Sequence, residues 1–348
     1  MANTQTALYG GLDLHSDNVF CALLDAQRNI VFERRMPNDL DTIKHALEPY
    51  QKRIKTLAVE STFNWYWLVD GLQDKGYDVR LANPAKIKSN IGLKHANDKT
   101  DARYLAQLLT LDILPEGYIY PRETRGVRDL MRKRGQMVQD RTQEAQRLTG
   151  LCARQTGQDL SARKILAANL PELFQHHAPS LLMAEAAKEH IHFINQQIKA
   201  LEKHILEQLP DQDAYTLLMT VPGIGNVLAR CILLETGPIT RFKSAGHYAS
   251  YCRAVPSEHT SNGKKKSEGE GKSGNAHLAW AFVESANFAT RFSPEINAWF
   301  QRKVARKNNL RVVAVKALAN KLAKACYFIL RTGQPFDLAR LLGGTRTN

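Results

Sequence analysis

Between Leu8 and Ala82 the chain alternates apolar runs with polar turns in a pattern that a mixed sheet satisfies. Leu8-Tyr9-Gly10-Gly11-Leu12-Asp13 is apolar and ends in an acid; Asn18 to Leu24 is a second run and Ile30 to Arg35 a third. The turns between them, His15-Ser16-Asp17 and Asp25 to Asn29, are polar, which predicts an antiparallel meander. A helical pattern follows from Asp41 to Tyr50, then the strand Thr56-Leu57-Ala58-Val59-Glu60-Ser61, again closing on acid. A helix through Trp65–Lys75, a strand over Gly76–Ala82 and a helix opened by Asn83-Pro84 complete the alternation. A leading meander followed by strand–helix alternation predicts a mixed α/β sheet covered by helices.

The acids at the strand ends give this sheet a chemistry. Ligands of α/β sheets bind beyond the strand ends. If the strands ending in Asp13 and Glu60 are neighbours, both carboxylates meet in one crevice. Asn97-Asp98-Lys99-Thr100-Asp101-Ala102 then opens a helix whose apolar positions are Ala102, Leu105, Ala106, Leu108 and Leu109. The three-residue spacing puts Asp98 and Asp101 on one face of its first turn. Singly, each acid reads as a helix cap or a strand-end surface residue. Together, four carboxylates repel unless compensated. The helix dipole, Lys99 and Arg103 are at hand, but Mg²⁺ compensates far better. Such a set suits metal-assisted displacement at phosphorus.

The charge balance agrees, because a net charge of +14 and a pI near 9.6 suggest a polyanionic partner. No apolar run reaches bilayer length, so a membrane is not expected as partner. Met1 to Thr6 has no signal-peptide pattern, and Cys21, Cys152, Cys231, Cys252 and Cys326 form no CxxC pair. A cytoplasmic protein without zinc or disulfides is the expectation.

From Thr124 to about Leu209 helical periodicity replaces strands. Eleven Lys/Arg face five acids between Arg122 and Lys164. A helix with Arg125, Arg128 and Arg132 on one side reads either as a solvated face or as one that tracks a phosphate backbone. Ile191, Ile194, Ile198, Leu201, Ile205 and Leu209 form a coiled-coil stripe, fitting an antiparallel hairpin or a dimerisation arm.

In the C-terminal half, Pro222-Gly223-Ile224-Gly225 between two helical stretches is similar to a helix-hairpin-helix, with Gly223 and Gly225 freeing backbone N–H groups for phosphate. A Gly/Lys/Ser loop follows, with Ser261 beside Lys264, Lys265 and Lys266, and Lys272 further on. On its own, a serine there is a solvated hydroxyl or a phosphate donor. From Trp299 to Lys324 eight Lys/Arg occur without one acid, among them Arg302, Lys303, Arg306 and Lys307. With Val312, Val315, Leu318, Ala319 and Leu322 as apolar face, this helix reads as a phosphate-binding wall. Beyond Pro335 a short tail is expected.

Two sets of motifs in this order resemble the DEDD-type insertion-sequence transposases of the family numbered one hundred and ten. The first is Gly11-Leu12-Asp13, Val59-Glu60-Ser61-Thr62 and the Asp98/Asp101 helix start. The second is Pro-Gly-Ile-Gly, then Arg241-Phe242, Tyr251, Pro256-Ser257, Ser261-Asn262-Gly263-Lys264 and Lys272-Ser273-Gly274-Asn275. Phe63 and Asn262 stand where many relatives have glycine, and Ala279-Trp280 where many have arginine. The resemblance implies a RuvC-like domain of RNase H-like fold over 1–122, a helical connector over 123–210, a mostly helical transposase domain over 211–336 and a tail over 337–348. It implies Asp13, Glu60, Asp98 and Asp101 as Mg²⁺ ligands. Ser261 is the implied nucleophile on DNA, with Ser257 and Ser267 as rivals. It further implies donor and target DNA paired by an element-encoded bridge RNA, a Holliday-junction-like intermediate, and dimers assembling to tetramers, in a prokaryotic, nucleoid-associated setting. The alternatives are a RuvC-like nuclease with no covalent step and a nucleic-acid-binding scaffold with structural acids.

Overall fold

The computed structural model describes residues 6–87, 98–174, 177–255, 258–261, 264–268, 273–306 and 310–343, without the side chains of 258–268. The chain separates into two compact units, Met1–Ile119 and Tyr120–Asn348.

The first unit is built on β1 (Leu8–Leu14), β2 (Asn18–Asp25) and β3 (Ile30–Pro37), followed by α1 (Leu40–Leu47), β4 (Ile54–Glu60), α2 (Tyr66–Asp74), β5 (Val79–Ala82), α3 (Pro84–Ile87), α4 (Asp98–Thr110) and β6 (Glu116–Gly117). The sheet order is β3-β2-β1-β4-β5-β6, with β1 central and parallel to β4, and β2 and β3 antiparallel beside it. The meander and the alternation that follows are both present. Side chains alternate along β1. Leu8, Leu12 and Leu14 join Ile43, Leu47, Leu68 and Leu72 of α1 and α2 in one core. On the other face Ala58 and Ala82 pack with Leu105, Leu108 and Leu109 of α4, while Ala22 and Leu24 pack with its Ala102 and Ala106.

Gly11 explains how closely α4 lies on the sheet. A Cβ there would meet the Ala102 carbonyl oxygen at 2.0 Å and the Ala106 nitrogen at 2.8 Å. Helix backbone thus rests on strand backbone, and only glycine leaves that room.

The second unit begins with α5 (Arg122–Thr156), α6 (Ala162–Ala167), α7 (Leu170–Leu173) and α8 (Ala178–Glu207). Arg134 reaches Glu202 and Arg141 reaches Asn195, each in the 2.8–2.9 Å range, while Leu148, Leu151 and Cys152 pack with Ala184, Ala187 and Ile191. These pairings make α5 and α8 an antiparallel hairpin within one chain, and the isoleucine stripe is its seam. Next come α9 (Gln212–Leu218), α10 (Asn226–Thr236), α11 (Ala245–Tyr251), a hairpin of β7 (Glu258–Ser261) and β8 (Lys264–Glu268), α12 (Ala276–Phe292), α13 (Pro294–Ala305), α14 (Arg311–Thr332) and α15 (Leu338–Leu342). The core gathers Leu228 to Leu234 of α10, Phe282 of α12 and Leu318 to Ile329 of α14.

One expectation needs correction. Val312 is not on the packed face of α14: it is 68% exposed, and Ala314, Leu318, Ala319 and Leu322 do the packing. The expected tail carries a short helix. Asp337 caps α15 by accepting from the Ala339 and Arg340 N–H groups, and Leu341 is buried.

Candidate active site

Leu12 pairs with Val59 across the parallel β1–β4 ladder. The next residue on each strand is an acid, so Asp13 and Glu60 leave the sheet side by side. Asp13 points to the α4 face, where the close approach at Gly11 brings the first turn of that helix over it. Asp13 is 3% exposed. Burial pushes its carboxyl up to about 7, a hydrogen bond with Glu60 and the negative charges of Glu60 and Asp101 add to this, and His15 opposes. The four predicted carboxylates therefore belong to one electrostatic site.

His15 is the member that sequence reasoning missed. Its Nε2 lies 3.1 Å from Asp13 Oδ2 and 3.2 Å from Asp98 Oδ1. One donor atom each from Asp13, His15 and Asp98 falls within 4.8 Å of the others, close enough to share an ion. Burial lowers the His15 pKa, but the Asp13 and Asp98 carboxylates outweigh it and raise the value overall. His15 lies just past the end of β1, two residues after Asp13, and that nearness in sequence was its one signal. The His15 carbonyl accepts from Asn64 Nδ2 at 2.9 Å and Asn38 Nδ2 at 3.0 Å, which fixes the end of β1.

The fold brings a further acid to the nearby cations. Lys99 and Arg103 both bind Glu33 on β3, at 2.6 and 2.5 Å. Arg35, two residues along that strand, holds Asp98 Oδ2 at 2.5 Å. Phe63, the departure beside Glu60, is 85% exposed and leaves the acids alone.

In the second unit, Ser261 ends β7 opposite Lys264, and Ser267 pairs with His259. Lys264, Lys265 and Lys266 lie on β8, while Ser257, Lys272 and Lys307 fall outside the described residues. Arg302 and Arg306 are exposed and Lys303 half-buried, in accord with a cationic surface.

The second unit also holds a buried polar cluster around Glu235. Glu235 is 1% exposed. It accepts from Arg132 Nε at 2.5 Å and Nη2 at 2.9 Å, from Arg128 Nε at 3.2 Å and from Asn275 Nδ2 at 2.7 Å. Burial alone would raise its carboxyl, but the hydrogen bond and charge of Arg132, then Arg128 and Asn275, hold it below the usual range. Asn275 also caps α12 through the His277 and Leu278 N–H groups, and its own N–H donates to the Tyr251 carbonyl at 2.7 Å. The Arg241 guanidinium lies 4.2 Å from the Phe242 ring centroid and 4.6 Å from that of Tyr251. Asn275 and Tyr251 are thus joined to each other, and the motif residues Arg241 and Phe242 pack beside Tyr251.

This cluster corrects the reading of α5. Arg125 and Arg128 are 4% and 8% exposed, and Arg128 and Arg132 are spent on Glu235. Arg128 and Arg132 thus share one buried carboxylate more than a hundred residues away, so on this side α5 packs against Glu235. The turn at Gly223 also packs closely. The φ of Gly223 is +87°, and a Cβ there would lie 2.4 Å from both the Ala289 nitrogen and the Ser285 carbonyl oxygen of α12. Gly225, with nothing near its Cβ position, precedes α10 as its cap residue.

A mixed sheet with convergent acids at adjacent strand ends, in a chain with a basic, mostly helical second unit, defines a nucleic-acid-processing enzyme whose first unit is consistent with an RNase H-like fold. The DEDD transposase family model of the IS110 type matches residues 10–154, and the model for the IS116/IS110/IS902 transposase family matches residues 215–301. The transposase for insertion sequence element IS1328 of Yersinia enterocolitica is 23% identical over 292 residues, covering 81% of this chain and 85% of the relative. A probable family 20 transposase of Pseudomonas aeruginosa is 24% identical over 79% of this chain and 83% of its own length. The pilin gene-inverting protein of Moraxella bovis is 29% identical over 35% of this chain and 38% of its own. The chain is homologous to the IS110-type DEDD transposases and is a transposase, an enzyme acting on DNA. Among the described residues no helix is long and apolar enough to cross a membrane.

Proposed function

We propose that this transposase moves an insertion sequence by site-specific recombination, with Ser261 as nucleophile and Asp13, Glu60, Asp98 and Asp101 as the Mg²⁺ ligands. The observation that carries the reading is the crowding at Asp13. A buried carboxylate pushed up to about 7 beside Glu60 and Asp101 is costly for a structural site and apt for a divalent cation. The oxygen-rich donor set fits Mg²⁺, with His15 at its edge. The ion, when bound, supplies charge stabilisation at the scissile phosphate. The Ser261 oxygen attacks phosphorus, a phosphoserine ester forms, the bond to one deoxyribose oxygen breaks, and the serine proton leaves to a base while the departing oxygen is protonated. The finer reading proposed with it is that a bridge RNA from the element pairs with donor and target, and that strand exchange runs through a Holliday-junction-like intermediate in dimers that assemble to tetramers. Lys264, Lys265, Lys266 and Lys272, the helix-hairpin-helix at Gly223–Gly225 and the cations Arg302, Lys303, Arg306 and Lys307 belong to the proposed nucleic-acid contacts. The proposed setting is the prokaryotic cytoplasm, at the nucleoid.

The test is recombination between donor and target plasmids with the element's flanking RNA supplied, followed by denaturing capture of protein bound to DNA. A covalent adduct that needs Mg²⁺ and vanishes in Ser261→Ala is expected, while Asp13→Asn loses both the adduct and the Mg²⁺-induced rise in Tm. Cleavage that persists in Ser261→Ala without an adduct would make the protein a plain metal-dependent nuclease. DNA transactions unchanged in Asp98→Asn would make the acids structural.

A further inference from the structure

From Lys321 onward, α14 carries Lys321, Lys324, Ala325, Phe328, Ile329 and Thr332 at spacings of three and four, hence on one face. Gly333, at φ +66°, ends the helix and turns the chain back through Phe336 to α15. The returning chain and the α14 face enclose a pocket of about 320 Å³. Its apolar lining includes Ile329 and Leu341, which are 4% and 5% exposed; Phe328 in its wall is 51% exposed.

The charges around this pocket are nearly all of one sign. Lys321 Nζ donates to the Leu341 carbonyl at 2.7 Å and sits 5.5 Å from the Trp299 ring centroid, so the fold fixes it. Burial first, and then the positive charges of Lys324 and Lys303, lower its pKa. Lys303, Lys324 and Arg340 make no ion pair among the described residues, and Asp337, the lining carboxylate, is engaged as the α15 cap. The fold leaves this repulsion for a ligand to relieve.

We propose that this pocket takes one unpaired nucleotide of a single-stranded nucleic acid, its base stacked on Phe328 and its phosphate held by Lys324 and Arg340. A half-exposed aromatic ring beside unpaired cations is the combination that binds single strands, since every base offers a π-face and every phosphate a charge. A base paired within a duplex is stacked on its neighbours and does not reach a side-chain ring. The cavity is at the small end of ligand sites, and a duplex does not enter it. The assignment rests on the shape and charge of this unit and stands apart from the metal and serine readings.

The experiment uses the full chain and labelled oligonucleotides of one sequence as single-stranded DNA, single-stranded RNA and duplex DNA, with Kd read by fluorescence anisotropy. Phe328→Ala is expected to weaken single-strand binding by roughly fivefold or more, with duplex Kd unchanged within about twofold, while Phe328→Tyr restores binding. Loss on one of the two single strands only identifies the strand that occupies the pocket and upholds the assignment. Lys324→Ala and Arg340→Ala should each flatten the salt dependence by about one phosphate contact. Phe328 is half exposed, so an unchanged Tm is expected for its variants. Unchanged single-strand affinity in Phe328→Ala, or an equal loss on duplex DNA, would overturn the proposal.

Discussion

Glu235 offers the sharpest test of how the second unit is held together. Its carboxylate is 1% exposed and receives two Arg132 donors, Arg128 and Asn275. Glu235→Ala strands the Arg128 side chain, itself only 10% exposed, without its counter-charge. Breaking a buried pair from one side costs about 3–5 kcal/mol. At roughly 2–4 °C per kcal/mol for a unit of this size, Tm should fall by about 6–20 °C. Arg132, at 32% side-chain exposure, can turn to solvent, which places the expected fall in the lower half of that range. The pH dependence follows from the sign of the shift. The folded pKa lies below the ordinary glutamate value, so this stabilisation is complete above about 4.5 and is lost as pH falls through the folded value. Glu235→Gln removes the charge at every pH and should flatten that acid limb. Thermal unfolding followed by circular dichroism from pH 3 to 7 measures both effects. A Glu235→Ala Tm within about 2 °C of wild type, or an unchanged acid limb in Glu235→Gln, would refute the account.

Gly11→Val should move α4 off β1, because its Cβ would fall 2.0 Å from the Ala102 carbonyl; loss of the Mg²⁺-induced Tm rise together with lower stability is expected in thermal-shift assays. Gly223→Ala combines a left-handed φ with backbone 2.4 Å away and should cost about 2 kcal/mol or more, against about 1 kcal/mol or less for Gly225→Ala, where the space is open; urea denaturation compares the two.

Local patterns carried much of this molecule. Apolar runs broken by polar turns gave β1 to β5, because strand and turn preferences act over a few residues. An acid after each buried run marked Asp13 and Glu60, and the Asp98/Asp101 spacing marked the first turn of α4. His15, just past the end of β1, was marked only by its nearness to Asp13.

What the sequence determined by itself, then, is the order of strands and helices and the candidate acids, since these depend on neighbours in the chain. Which charges remain available to a ligand was decided only by tertiary structure. Arg128 and Arg132 read as a basic helix face until Glu235 folds onto them, and Lys99 and Arg103 read as neighbours of Asp98 and Asp101 until the fold brings Glu33 to both. Coulomb energies depend on separation in space and on burial, and neither is written in sequence distance. Gly11 shows the same division: its presence is sequence, but its necessity comes from the α4 backbone resting where a Cβ would be.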